Sequence, residues 1–175
     1  KTVKRNIQPR FHQDYFIQYS RECMKKYKTK NFVWGAVPRS GKSFMIGGLI
    51  AKDKPTCVLL FLGAITETKQ QFIDMFTSFD DFSDYEIHDL QQKGEPIHKG
   101  KSRKILIFSQ EKNRMDVKRS QLPKIIQDSL LEKDKLIFFD EIHQGSGEGS
   151  LQEKMLNTIV FDNPYKAFIM VTATF

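Results

Sequence analysis

Five short apolar runs set the strongest constraint on how this chain folds. They lie at 32–36, 57–63, 105–109, 135–139 and 167–172. None alternates apolar with polar residues, so each reads as a strand covered on both faces, as in a parallel sheet. Parallel strands need a crossover, usually a helix. The intervening stretches near 12–28, 42–52, 66–79, 122–132 and 150–161 read as helices. The expected fold is α/β: a mostly parallel central sheet with helices on both faces. A length of 175 residues fits a single domain spanning 1–175. Residues 91–104, polar and basic with Gly94, Pro96 and Gly100, read as a loop, as does Gly-Ser-Gly-Glu-Gly-Ser at 145–150.

The first strand runs into Ala36-Val37-Pro38-Arg39-Ser40-Gly41-Lys42-Ser43, and a helix follows. A strand, a loop closing on Gly-Lys-Ser and a helix are the parts of a phosphate-binding loop. Residues Pro38, Arg39, Ser40 and Gly41, with the helix N-terminus, would cradle phosphates through backbone N–H groups. Lys42 would reach the β- and γ-phosphates, and the Ser43 hydroxyl would ligate Mg²⁺. The first glycine of the usual pattern is Ala36 here, with Gly35 one step earlier. Alanine costs little there unless the backbone needs a positive φ. An ordinary Gly-Lys-Ser turn is the alternative.

A second motif, Leu136-Ile137-Phe138-Phe139-Asp140-Glu141-Ile142-His143, ends an apolar strand on two carboxylates. Ligands of open α/β sheets sit at the carboxyl ends of strands. Asp140 would hold Mg²⁺, mostly through water. Glu141 would polarise the attacking water. The alternative is an Asp-Glu pair that opens a loop or caps a helix.

The net charge of +7 and pI near 9.3 favour a polyanionic partner, and nucleic acid is the natural one. Cys23 and Cys57 make neither a disulfide framework nor a metal site, and the four histidines lack zinc-ligand spacing. Zinc is not expected. The longest apolar run, Val58 to Ile65, is far short of the ~20 residues that span a bilayer. The expectation is a soluble intracellular protein, cytoplasmic or nuclear, viral or bacterial, with no membrane partner.

Asp140-Glu141-Ile142-His143 and Thr172-Ala173-Thr174 resemble motifs II and III of the superfamily 2 helicases and translocases, DExH type. The pattern is most similar to restriction-enzyme motor subunits and helicases of large DNA viruses. The resemblance implies a RecA-like P-loop domain that hydrolyses ATP with Mg²⁺ and acts on nucleic acid, DNA in preference to RNA. It implies that Glu141 is the catalytic base. His143, Thr172 and Thr174 would couple nucleotide state to nucleic-acid movement. Arg10-Phe11-His12-Gln13 resembles the family's Arg-x-x-Gln element, which implies that Gln13 reads adenine. Leu62 to Phe72 takes the place of the family's backbone-contacting motif Ia, without its Pro-Thr pair, leaving Thr66 and Thr68 as candidate contacts. Ile105 to Gln110 resembles the next segment, with Gln110 at its end.

The resemblance also implies a second RecA-like domain that carries an arginine finger. The sequence ends at Val171-Thr172-Ala173-Thr174-Phe175, right after a strand, so a longer protein is expected, and weak hydrolysis by this chain alone. Lys112 and Arg114, with Lys118 and Arg119, would face the nucleic acid at a carboxyl strand end. Lys25, Lys26, Lys28 and Lys30 read as a solvated helix end favoured by the dipole. Trp34 and the phenylalanines read as core. Two other functions stay open: a different P-loop enzyme such as a nucleotide kinase, and a nucleotide-dependent nucleic-acid-binding module of a larger complex.

Overall fold

The computed structural model describes residues 5–36, 41–62, 66–90, 92, 94–109, 124–140 and 162–173. In chain order these form α1 (Phe11–Lys26), β1 (Asn31–Ala36), α2 (Lys42–Asp53), β2 (Cys57–Leu62) and α3 (Thr66–Ser78). A short 3₁₀ turn at Asp80–Phe82 leads to β3 (Tyr85–Asp89) and β4 (Arg103–Ser109). Then come α4 (Lys124–Leu131), β5 (Lys135–Asp140) and β6 (Ala167–Ala173). The six strands make one sheet in the order β1-β6-β5-β2-β4-β3, and every pairing is parallel.

All five apolar runs are strands. Alternate side chains enter two cores. Val58, Leu60, Leu62, Leu136, Phe138, Ile105 and Ile107 pack with α1, α2 and α3 on one face. Cys57, Leu59, Phe61, Ile137, Phe139, Leu106 and Phe108 pack with Ile126 and Leu130 of α4 on the other. Phe61 stacks on Phe108 with ring centroids 4.5 Å apart. Trp34 is buried, and its indole N–H donates to the Ser20 hydroxyl at 3.0 Å, pinning β1 to α1.

β3 is an edge strand not anticipated from the sequence. Tyr85 and Ile87 alternate with Glu86 and His88, so it lacks an apolar run. Arg103 and Lys104, read as loop, open β4 and pair with Tyr85 and Glu86. The helix expected at 150–161 and the loop at 145–150 lie outside the described residues.

Helix ends follow local chemistry. Lys54 takes a left-handed φ of +50° and stops α2 ahead of Pro55. Buried Lys135 caps α4, its Nζ donating to the Leu130 carbonyl at 2.7 Å. In α2, a Cβ on Gly48 would meet Ile17 Cδ1 at 2.4 Å and Pro9 Cγ at 2.9 Å. That close approach sets α1 and its lead-in directly on α2. Among the described residues no helix is long and apolar enough to cross a membrane.

Candidate nucleotide site

The sheet order brings the two phosphate-chemistry motifs together. β6 separates β1 from β5, so their carboxyl ends lie two strand spacings apart, about 10 Å. Ala36 pairs with Ala173, and Val171 pairs with Asp140, so the ends of β1 and β5 flank the end of β6. Thr172 pairs with Gly35 between them and is half-buried.

Gly41 precedes α2 with φ +76° and ψ +46°, the left-handed region. Its carbonyl accepts the N–H groups of Phe44 at 3.0 Å and Met45 at 3.1 Å. The first N–H groups of the helix lack intrahelical partners and carry the positive end of its dipole, which suits phosphate. A side chain at Gly41 would be strained and would displace a neighbour. The backbone is strained for an L-residue, and a Cβ would meet Gln13 Nε2 at 2.3 Å.

Gln13 is buried beneath this turn. Its Oε1 accepts the Arg10 N–H at 2.8 Å, closing the first turn of α1. Its Nε2 donates to the Gly41 carbonyl at 3.4 Å. The first turn of α1 is thus fastened to Gly41, just ahead of α2.

Lys42 opens α2, and its Nζ lies 3.9 Å from Asp140 Oδ1. Asp140 is buried at the last position of β5. Its Oδ1 accepts no hydrogen bond among the described residues. Burial pushes the Asp140 carboxyl above its ordinary range, and the nearby Lys42 ammonium offsets this in part. A buried carboxylate oxygen without a donor is costly, and a cation at that oxygen removes the cost. Asp140 and the half-buried Ser43 supply hard oxygen donors, the kind Mg²⁺ takes.

Other sequence-derived candidates fall differently. Thr66 opens α3 and Thr68 lies in its first turn, half-buried. Pro38, Arg39, Ser40, Gln110, Lys112, Arg114, Glu141, His143 and Thr174 lie outside the described residues. Lys25 and Lys26 are exposed in the last turn of α1, as a solvated helix end requires.

One polar cluster escaped the motif search. Glu86 Oε1 meets His88 Nε2 at 2.6 Å and Lys104 Nζ at 3.0 Å, and Oε2 accepts the Gly100 N–H at 2.7 Å. The signal was present as an acid and a histidine on the polar phase of an alternating strand. The cluster lies at the far sheet edge from β1 and holds the 94–102 segment against β3.

A family model described as "Type III restriction enzyme, res subunit" matches residues 6–175. Among solved structures, the Sulfolobus solfataricus SWI2/SNF2 ATPase core in complex with dsDNA matches with a TM-score of 0.53 at 16% identity. The match covers 99% of this chain but only 34% of that one, and it shows the fold, a RecA-like ATPase core. No curated protein matches the chain. With 6–175 matched almost end to end, the chain belongs to the family of the type III restriction enzyme res subunit, as an ATPase domain of the superfamily 2 helicases and translocases.

Proposed function

We propose that this domain is the ATP-hydrolysing half of a motor that moves on nucleic acid, with DNA as the track. The observation that carries the reading is Lys42 Nζ 3.9 Å from a buried Asp140 oxygen that accepts no hydrogen bond among the described residues, at the carboxyl edge of a parallel sheet. The preference for DNA is supported by the SWI2/SNF2 relative, solved with dsDNA.

In this reading Gly41, Lys42 and Ser43 hold the phosphates, with Pro38, Arg39 and Ser40 completing the loop. Asp140, mostly through water, and Ser43 would hold a Mg²⁺ ion, which would neutralise phosphate charge and polarise the γ-phosphoryl group. Lys42 leaves Asp140 for the β- and γ-phosphate oxygens when nucleotide binds. Glu141, next in the chain after Asp140, aims the attacking water and takes its proton. Gln13 supports the phosphate loop through Gly41 and reads adenine only if its amide leaves that carbonyl. Thr172, between the two motifs on β6, with His143 and Thr174, relays the nucleotide state. Thr66, Thr68, Gln110, Lys112 and Arg114 line the track. A second RecA-like domain completes the site.

The test is the ATPase rate of the full-length protein with and without single- and double-stranded DNA and RNA. DNA should stimulate hydrolysis. Glu141→Gln should keep ATP binding and lose turnover, and Lys42→Ala should weaken binding itself. Full turnover by Glu141→Gln would remove the base assignment. Hydrolysis indifferent to every nucleic acid would remove the motor.

A further inference from the structure

The outward face of α1 is more aromatic than a solvated helix requires. Its inward face buries Gln13, Ile17 and Ser20. Its outward face leaves Tyr15 63% and Tyr19 58% exposed, and Tyr27 just beyond is 66% exposed. The Tyr15 and Tyr19 rings lie one helical turn apart, centroids 6.3 Å apart and planes within 13° of parallel. Lys26 Nζ sits 5.4 Å from the centroid of the Tyr27 ring. Tyr15, Tyr19, Arg21, Glu22, Lys25 and Lys26 are among the residues that line an open hollow of about 740 Å³. From Tyr19 to Lys30 the basic residues are Arg21, Lys25, Lys26, Lys28 and Lys30, against Glu22 alone.

This face is separate from the nucleotide site. Only the first turn of α1 approaches Gly41, through Gln13. The helix is 16 residues long, about 24 Å. Its far end leads through Lys30 into the start of β1, where the Lys30 carbonyl accepts the Phe168 N–H at 2.7 Å. Arg21 Nε lies 3.9 Å from Asp53, in the last turn of α2. The lysines therefore stand toward the amino edge of the sheet, opposite Lys42 and Asp140.

We infer that this face is a second docking surface, for single-stranded nucleic acid. Flat exposed rings give sequence-tolerant stacking platforms for bases, and flanking lysines follow the phosphates. The charge decides between partners: an excess of basic over acidic groups among the tyrosines complements a polyanion. The surface goes beyond the proposed motor, since it needs neither nucleotide nor a moving track. It would hold a strand of sequence-independent identity against the back of the domain.

The test uses the full-length protein without nucleotide and a dye-labelled oligothymidylate of about 20 nucleotides. Tyr15→Ala/Tyr19→Ala should weaken binding about fivefold or more, given about 1–3 kcal/mol per stacked base. Lys25→Gln/Lys26→Gln/Lys28→Gln should lower the slope of log K against log salt by about 2. An unchanged unfolding midpoint shows that these exposed changes leave the fold intact. A 5-iododeoxyuridine oligomer should crosslink to Tyr15, Tyr19 or Tyr27 on irradiation. Crosslinks confined to other segments, or unchanged affinity in the tyrosine pair variant, overturn the surface. Unchanged affinity together with loss of a stoichiometric protein subunit would assign the face to a protein partner. Loss of ATPase stimulation with these crosslinks intact would sink the motor reading and leave this one standing.

Discussion

Asp140 concentrates the conflict between stability and chemistry in one side chain. Its carboxyl is buried at the end of β5, one oxygen accepts no hydrogen bond among the described residues, and the Lys42 ammonium stands 3.9 Å away. Burial, only partly offset by Lys42, raises its pKa above the ordinary 3.8. The sign follows directly. The unfolded chain ionises first, so the folded state loses relative stability as pH rises from 3.8 to the raised value, and that deficit persists at neutral pH. Asp140→Asn should therefore raise the unfolding midpoint of the ligand-free protein near pH 7, by about 2–4 °C if the gain is near 1 kcal/mol. The gain should vanish below pH 3.8, where both forms are neutral. The same variant should lose Mg²⁺-dependent ATP hydrolysis, because the hard anionic donor is gone. Calorimetry at pH 7 and at low pH checks the first part. A variant less stable than wild type at pH 7 would contradict a desolvation cost at this position. Gly41 poses the complementary case, where the backbone rather than a charge is demanding: φ +76° strains any other residue, and a Cβ would push the Gln13 amide away.

At the scale of elements, β3 and its loop depend on Glu86. Burial pushes its pKa up, but the Gly100 N–H, Lys104 and His88 outweigh that and bring it from 4.5 down to about 2. A depressed carboxylate pKa contributes stability above 4.5 that is lost as pH falls toward 2. Glu86→Gln should lower the unfolding midpoint at pH 7, and its gap to wild type should close between about pH 4.5 and 2. A gap that stays constant with pH would mean that the ion pairs contribute nothing. The same strand explains what local pattern reveals and what it hides. Runs such as Val58–Leu62 and Leu136–Phe139 are apolar on both phases because both faces of the sheet are covered, so they read as strands at once. Tyr85 and Ile87 carry only one apolar phase, and Glu86 on the other finds Gly100 and Lys104 as partners, which no local pattern foretells. Strand order is hidden for a related reason. Parallel apolar strands look alike locally, and only packing against α1–α4 ranks them β1-β6-β5-β2-β4-β3. Lys42 and Asp140, which the fold brings within 3.9 Å, stood out as candidates because phosphate and cation chemistry admits few residue types. The Gln13 bond to the Gly41 carbonyl did not, because an amide takes whatever partner tertiary approach supplies.

At the scale of the whole molecule, the site lies on an edge rather than in an enclosure. The described residues that point to phosphate and cation come from α1, α2 and β5, all at the carboxyl edge of one open sheet. Open α/β sheets bind ligands in the crevice outside that edge. Transition-state charge on a transferring phosphoryl group needs cations from more than one side. In this domain the described cation there is Lys42, and it approaches from the phosphate loop. The chain spans 34% of the SWI2/SNF2 ATPase core that it resembles, and in the proposed motor a second domain would supply the opposing arginine. The expectation is a split between binding and turnover. The 175-residue domain should bind a fluorescent ATP analogue in a Lys42-dependent way, yet hydrolyse ATP about 10³–10⁵-fold more slowly than the full-length protein on DNA. Adding DNA to the isolated domain should leave its rate unchanged, since in the proposed motor stimulation would act by closing a second domain on the nucleotide. Single-turnover hydrolysis measured on both proteins at saturating ATP separates weak binding from slow chemistry. If the isolated domain matched the full-length rate, the catalytic groups would all be its own, and the open carboxyl edge would already be a complete active site.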